Sequence, residues 1–191
     1  IQDVGGATIA PEVSGDESAF RITASDVRFD GLTIDARAVT DGATAVEVTA
    51  NGDRAELSGL TIQGDGWDPA IDAGGDSAQI QFSTISGLSD GREDTAGDGI
   101  SVTAADVSIG NNTFVDTNRA IELIEGASNA NIRGNIFFGN FRALFASSGS
   151  HELTQSNIDY PTSGSVAPPN DNAAIETIGT EAEVFIDAPD N

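Results

Sequence analysis

The chain has no cysteine, no methionine and no lysine, and only one tryptophan, one tyrosine and one histidine in 191 residues. Without cysteine there is no disulfide framework and no thiolate metal site. Lacking Met, Cys and a second His, it also lacks the soft ligand sets that bind copper. All eight cations are arginine, set against 31 acidic residues for a net charge of −23. That balance argues against nucleic acid as a partner, because phosphate contacts need clustered Arg and Lys, and against an anionic membrane surface. No apolar run approaches the ~20 residues of a spanning helix, so membrane insertion is not expected. No leader pattern is present, and the start at Ile1 reads as a mature or excised segment.

What the chain does contain is a repeat. Six octads recur: Val27–Ile34 (VRFDGLTI), Ala55–Ile62 (AELSGLTI), Ala78–Ile85 (AQIQFSTI), Val107–Phe114 (VSIGNNTF), Ala130–Phe137 (ANIRGNIF) and His151–Ile158 (HELTQSNI), stepping by 28, 23, 29, 23 and 21 residues. Apolar residues favour octad positions 1, 3 and 8. A second apolar segment follows each octad: Ala45–Val48, Ala70–Ala73, Gly99–Val102, Ala120–Leu123, Ala143–Ala146 and Ala174–Thr177, with an earlier copy at Ala19–Ile22. A period of this length marks a solenoid. The segments alternate with period 2, are joined by Gly, Asn, Asp and Ser, and leave no room for a helix. A leucine-rich repeat has a similar period, but seven Leu against eighteen Ile and the lack of amphipathic helical segments weigh against it. The pattern predicts an all-β, single-stranded right-handed parallel β-helix of about seven coils over residues 19–187, with 1–18 as a cap or lead-in and 188–191 as a tail.

Val107–Phe114 and Ile132-Arg133-Gly134-Asn135-Ile136-Phe137 resemble the V-x-I-x-x-N-x-F repeat of pectin-lyase-like right-handed β-helix proteins. The resemblance covers roughly residues 17–187. It implies the fold, and a choice among polysaccharide lyases, polygalacturonases, carbohydrate-processing modules, tailspikes, adhesins and metal-site maturation proteins, because one scaffold carries many sites. Asp98-Gly99-Ile100 resembles the Asp-Gly-Ile turn of polygalacturonases, but that family's Asp-Asp, Gly-His-Gly and Arg-Ile-Lys elements are missing. No catalytic residue is carried over.

So acidic a chain could be disordered, yet Val, Ile, Leu and Phe make up 45 of its residues and are periodic. A folded chain this acidic strains against self-repulsion. In molar salt, screening falls to about 3 Å and the strain largely disappears. The expected origin is a salt-saturated habitat, a haloarchaeon or its virus, and the expected location is extracellular, at a cell or virion surface.

Insertions are confined to one corner of the repeat (Asp35–Thr44, Gln63–Pro69, Ser86–Asp98 and Asp159–Ala173), so they should form one lateral loop wall. Its candidate ligand-binding residues are Asp65, Trp67, Asp68 and Arg142, with Trp67 either stacking on a sugar ring or packing inward. Asp65, Asp68, Asp94 and Asp98 are candidate Ca2+ ligands, and no other cofactor is expected. Asp98, Arg119 and Arg142 share one register position and should stack. Glu47, Asp72, Ser101, Glu122 and Glu176 share the outward position of the second segment. Phe145 interrupts that row, with Phe138 and Phe141 close by in sequence, giving either an exposed aromatic patch or a surface under the Tyr160–Asn172 loop. Asn112 and Asn135 share octad position 6, flanked by Ser83 and Ser156, and should form an internal amide ladder. Asn111-Asn112-Thr113 is a glycosylation sequon with Asn111 at a turn. His151 reads as a coil residue rather than a base.

Two functional classes stand open. One is a non-catalytic surface module (adhesin, fibre, spike or envelope domain) that binds glycan or a surface protein through the loop wall. The other is a carbohydrate-active enzyme fragment, a polysaccharide lyase or glycoside hydrolase, with Arg92, Asp94, Asp98 and Arg119 around a cleft. Open strand edges at the terminal coils invite a homo-oligomer or a neighbouring domain.

Overall fold

A computed structural model describes residues 8–36, 42–88, 97–159, 175–178 and 182–187. Among these there is no helix, and the chain winds through three seven-stranded parallel sheets. Each octad supplies two strands rather than one. Positions 2–4 enter a first sheet (Arg28–Asp30, Glu56–Ser58, Gln79–Gln81, Ser108–Gly110, Asn131–Arg133, Ser150–Thr154, Glu183–Asp187). Positions 7–9 enter a second sheet (Thr8–Ile9, Thr33–Asp35, Thr61–Gln63, Thr84–Ser86, Thr113–Val115, Ile136–Phe138, Asn157–Asp159). The second apolar segments make the third sheet: Ser18–Ile22, Thr44–Val48, Ile71–Ala73, Ile100–Val102, Arg119–Leu123, Arg142–Ala146 and Ile175–Thr177. Thr8–Ile9 already pairs with Thr33 and Ile34, so the second sheet begins inside the segment read as a lead-in. Residues 188–191 lie outside the described residues.

The corners explain the octad. Position 5 takes a left-handed backbone in all six copies: Gly31, Gly59, Phe82, Asn111, Gly134 and Gln155 have φ between 49° and 76°. The residue before the octad does so in five (Asp26, Arg54, Ser77, Asp106, Asn129), and position 10 in four (Gly64, Gly87, Asp116, Gly139). Gly, Asn and Asp tolerate this region best, which accounts for the turn composition. The long insertions fall between the second and third sheets, at the corner the sequence singles out, while the third-to-first connection varies less, as between five residues (Ala73 to Gln79, Val102 to Ser108) and seven (Val48 to Glu56, Leu123 to Asn131).

Equivalent residues pile up along the axis. Phe29↔Leu57↔Ile80↔Ile109↔Ile132↔Leu153 is one interior file in register, and Ile34, Ile62, Ile85, Phe114 and Phe137 form another. All are buried. Phe114 and Phe137 stack, with ring centroids 5.2 Å apart and an interplanar angle of 7°. One coil could not bury such a face alone; neighbours above and below supply the missing wall.

The amide ladder is present. Asn112 Oδ1 accepts the Ser83 N–H at 2.9 Å, and Asn135 Oδ1 accepts the Asn112 N–H at 2.9 Å. Asn112 Nδ2 donates to Ile80 O, and Asn135 Nδ2 to Ile109 O, each at 2.9 Å. Ser83 Oγ accepts from Leu60 N and Ser156 Oγ from Asn135 N. These side chains satisfy backbone groups that the turn would leave bare inside the coil.

Candidate functional site

The outward face of the third sheet gathers charged side chains from successive rungs. Parallel register aligns Arg21, Glu47, Asp72, Ser101, Glu122, Phe145 and Glu176 in one file. Beside it run Thr44, Arg119 and Arg142, with Asp98 two residues ahead of Ile100 and hence level with Arg119. The predicted Asp98–Arg119–Arg142 stack therefore exists.

Asp98 is buried, with 7% of its surface exposed. Its Oδ1 accepts the Arg119 N–H at 3.0 Å and the Asn118 Nδ2–H at 3.1 Å; its Oδ2 lies 3.4 Å from Arg119 Nη1. That same Nη1 donates to Glu122 Oε1 at 2.7 Å. Because one nitrogen touches both, the nearest oxygens of the two carboxylates lie no more than about 6 Å apart. Burial first, then the charges of Glu122 and Asp68, push the Asp98 carboxyl up to about 6, against the opposing pull of Arg119. The Arg119 guanidinium also lies over the Phe145 ring, 4.8 Å from its centroid, a cation–π contact. Arg142 pairs with Glu176 and stacks on Phe141 at 4.6 Å. At the other end Glu47 is held by Arg21 at 3.1 Å and by the Ser18 hydroxyl at 2.6 Å. Asp72, stacked directly on Glu47, is raised by burial and then by that neighbour's charge.

The loop-wall residues fare differently. Trp67 is fully buried. Its Nε1 donates to Gln63 O at 3.3 Å, and its backbone bridges Ala43. It is a core residue that closes the second-to-third corner, and it offers no ring to a sugar. The alternation that would have placed it is broken by the loop, so only its chemistry, a large apolar ring with one donor to satisfy, signalled the outcome. Asp65 is exposed, while Asp68 turns inward enough for Oδ1 to accept the Asp98 N–H at 3.3 Å. Arg92 and Asp94 lie outside the described residues, as do Asp90 and Glu93. Among the described residues no three acidic or histidine side chains gather as a metal would require, so Asp65, Asp68 and Asp98 do not by themselves form the proposed Ca2+ site.

The aromatic patch also divides. Phe145 is half-buried under Arg119, Phe141 is buried, and Phe138 points out from the second sheet. Asn111 is exposed at its left-handed corner. His151 is buried, its Nδ1 accepting from Ala130 N while Nε2 faces Ser148 O at 2.5 Å. Desolvation lowers its pKa, so it is a neutral, satisfied coil residue. Asn118 and Glu122 are the cluster members whose role the sequence reading missed. Asn118 is next to Arg119, and Glu122 one helical rung from Ser101, so the register alone could have found them.

The family model for the right handed beta helix region matches residues 13–159. The chain belongs to that family. The three parallel sheets described above agree with membership in the right-handed β-helix family. No curated protein and no solved structure matches the chain.

Proposed function

We propose that this β-helix is a non-catalytic surface module of a halophile, working outside the cell or on a virion and holding a glycan or a surface protein against one of its flat lateral faces. The observation that carries this reading is the state of Asp98. Burial raises its carboxyl to about 6, within reach of proton transfer near neutral pH, yet both of its oxygens are engaged by Arg119 and Asn118. A general acid must aim its proton at a substrate; here both carboxyl oxygens instead accept from donors of the same chain. The neighbouring cations are likewise tied to Glu122, Glu176 and Glu47, leaving these guanidinium groups engaged where a lyase would need one to neutralise a uronate. The charge of −23 and the stacked Glu47–Asp72 pair support a high-salt setting, where such stacking costs little.

The Asp98–Glu122 spacing favours a second reading. Two carboxylates within about 6 Å, one with a raised pKa, are the components of a glycosidase, and this would make the chain a carbohydrate-active enzyme fragment. A glycan array and a polysaccharide-cleavage screen, both run in multimolar KCl, separate the two. The module reading expects retention on the array without product. Release of oligosaccharides that is lost in Asp98→Asn would overturn it.

A further inference from the structure

The second sheet, which the functional reading above leaves unused, carries a file of threonines. Octad position 7 points outward and is Thr33, Thr61, Thr84 and Thr113 in four successive rungs, paired directly with one another and, at one end, with Thr8. Parallel strands set these hydroxyls about 4.8 Å apart along the axis. The neighbouring position gives Asp35, buried and held by Gln63 Nε2 at 3.0 Å, then Gln63, Ser86 and Val115, and the next rung adds Ile136 and Phe138, both about half exposed. Across the strands Thr61–Gln63, Thr84–Ser86, Thr113–Val115 and Ile136–Phe138 not one outward side chain is charged, in a chain with 31 acidic residues.

A second observation lies on the border of this face. Phe82 is at octad position 5, where three other octads have glycine, and adopts φ 54° with 61% of its surface exposed. A bulky residue in the left-handed region is a genuine outlier, and such strain persists where function asks for the side chain. Exposing the ring gains the fold nothing. Its rung neighbours at this corner are Gly59 and Asn111.

We propose that this face binds a neutral, extended polysaccharide chain lying along the helix axis, with Phe82 stacked on a sugar ring and the Thr61–Thr84–Thr113 hydroxyls meeting successive sugars. The proposal rests on the glycan-binding form of the reading above. The commitment to an uncharged glycan follows from charge. A uronate polymer would find no cation on these strands to pair with its carboxylates, and a polycation would settle on the carboxylate-lined third sheet. Sugar rings of an extended β-linked chain recur at nearly the rung interval with alternate rings turned over, so every second ring can meet its rung with the same contact.

The test is calorimetric titration of the full chain in multimolar KCl with neutral β-linked hexasaccharides and a uronate hexamer. One of the neutral sugars should bind. Phe82→Gly should weaken it at least tenfold while the thermal midpoint stays level or rises, because glycine relieves the corner. A purely structural Phe82 would give the opposite midpoint shift. The triple variant Thr61→Val, Thr84→Val, Thr113→Val, which keeps the β-branched shape, should weaken binding to a similar extent. Unchanged affinity in both variants overturns the inference, as does preference for the uronate. If Phe145→Ala abolishes binding and Phe82→Gly does not, the glycan reading survives and this address is wrong. If no glycan binds, both fall. Self-association that Phe82→Gly abolishes would assign the face to a second copy of the chain instead.

Discussion

Asp98 grips Arg119 twice, once through the backbone N–H at 3.0 Å and once facing the guanidinium at 3.4 Å. The neighbouring rung thus supplies both a neutral and a charged donor to one buried carboxylate. The burial that makes this grip also makes ionisation costly, which is why the carboxyl sits at about 6 rather than near its ordinary 3.8.

The sign of the pH effect follows from that. A carboxyl raised in the folded state binds its proton more tightly there than in the unfolded chain. Its contribution is fully present below pH ~4 and is lost as pH rises through about 6. A shift of about two units corresponds to roughly 3 kcal/mol at most. Asp98→Asn removes this titration, so between pH 4 and 6 the variant's unfolding free energy should fall less steeply than the wild type's. Denaturant titrations across that window check it. Parallel slopes would mean that Asp98 keeps an ordinary pKa.

Asp72 probes the salt question at a single residue. It lies in register with Glu47 on the outward face, and both burial and that charge oppose its ionisation. Asp72→Asn should stabilise the protein at neutral pH in dilute salt by up to about 1 kcal/mol. In multimolar KCl the gain should shrink to the burial part, since screening there reaches about 3 Å. Chemical denaturation at two KCl concentrations measures both. A gain independent of salt would remove the like-charge argument.

Asn135 tests the ladder. Alanine there strips the acceptor from the Asn112 N–H and the donor from Ile109 O, both inside the coil. The Ile109 carbonyl keeps its place in the strand ladder, but the orphaned Asn112 N–H costs about 1–3 kcal/mol, so Asn135→Ala should lose roughly that much by urea denaturation in high salt. Asn111→Ala, on the exposed side of the adjacent turn, should lose less.

Trp67 is the sole tryptophan, so intrinsic fluorescence reports on one site. Emission should be blue-shifted, weakly quenched by iodide and insensitive to any bound sugar. Trp67→Ala should cost about 3–5 kcal/mol by emptying a filled corner. A red-shifted, readily quenched emission would return Trp67 to the surface.

The sequence was most legible where it repeats. Octads at 27, 55, 78, 107 and 130 align residue for residue in the observed register, because any slip would turn Leu57 or Ile80 outward. The ladder at Asn112 and Asn135 was legible for the same reason. The site was not. Trp67 follows a loop path with no period to read, and its burial depends on Ala43 and Gln63 reaching it in space. Arg92 and Asp94, also in a loop, lie outside the described residues. Asp98 and Arg119 were found because they flank strands, whereas the Glu122 carboxylate looked like one more solvated acid until a shared guanidinium joined it to Asp98.

The left-handed corners recur at fixed intervals of five, before the octad, within it and after it. Nothing in that scheme counts rungs. Duplicating one 23-residue unit, such as 107–129, would insert a complete extra storey whose corners, interior file and hydroxyl row all continue unbroken. The rod can therefore grow or shorten in evolution by whole storeys, each changing its reach by the same increment.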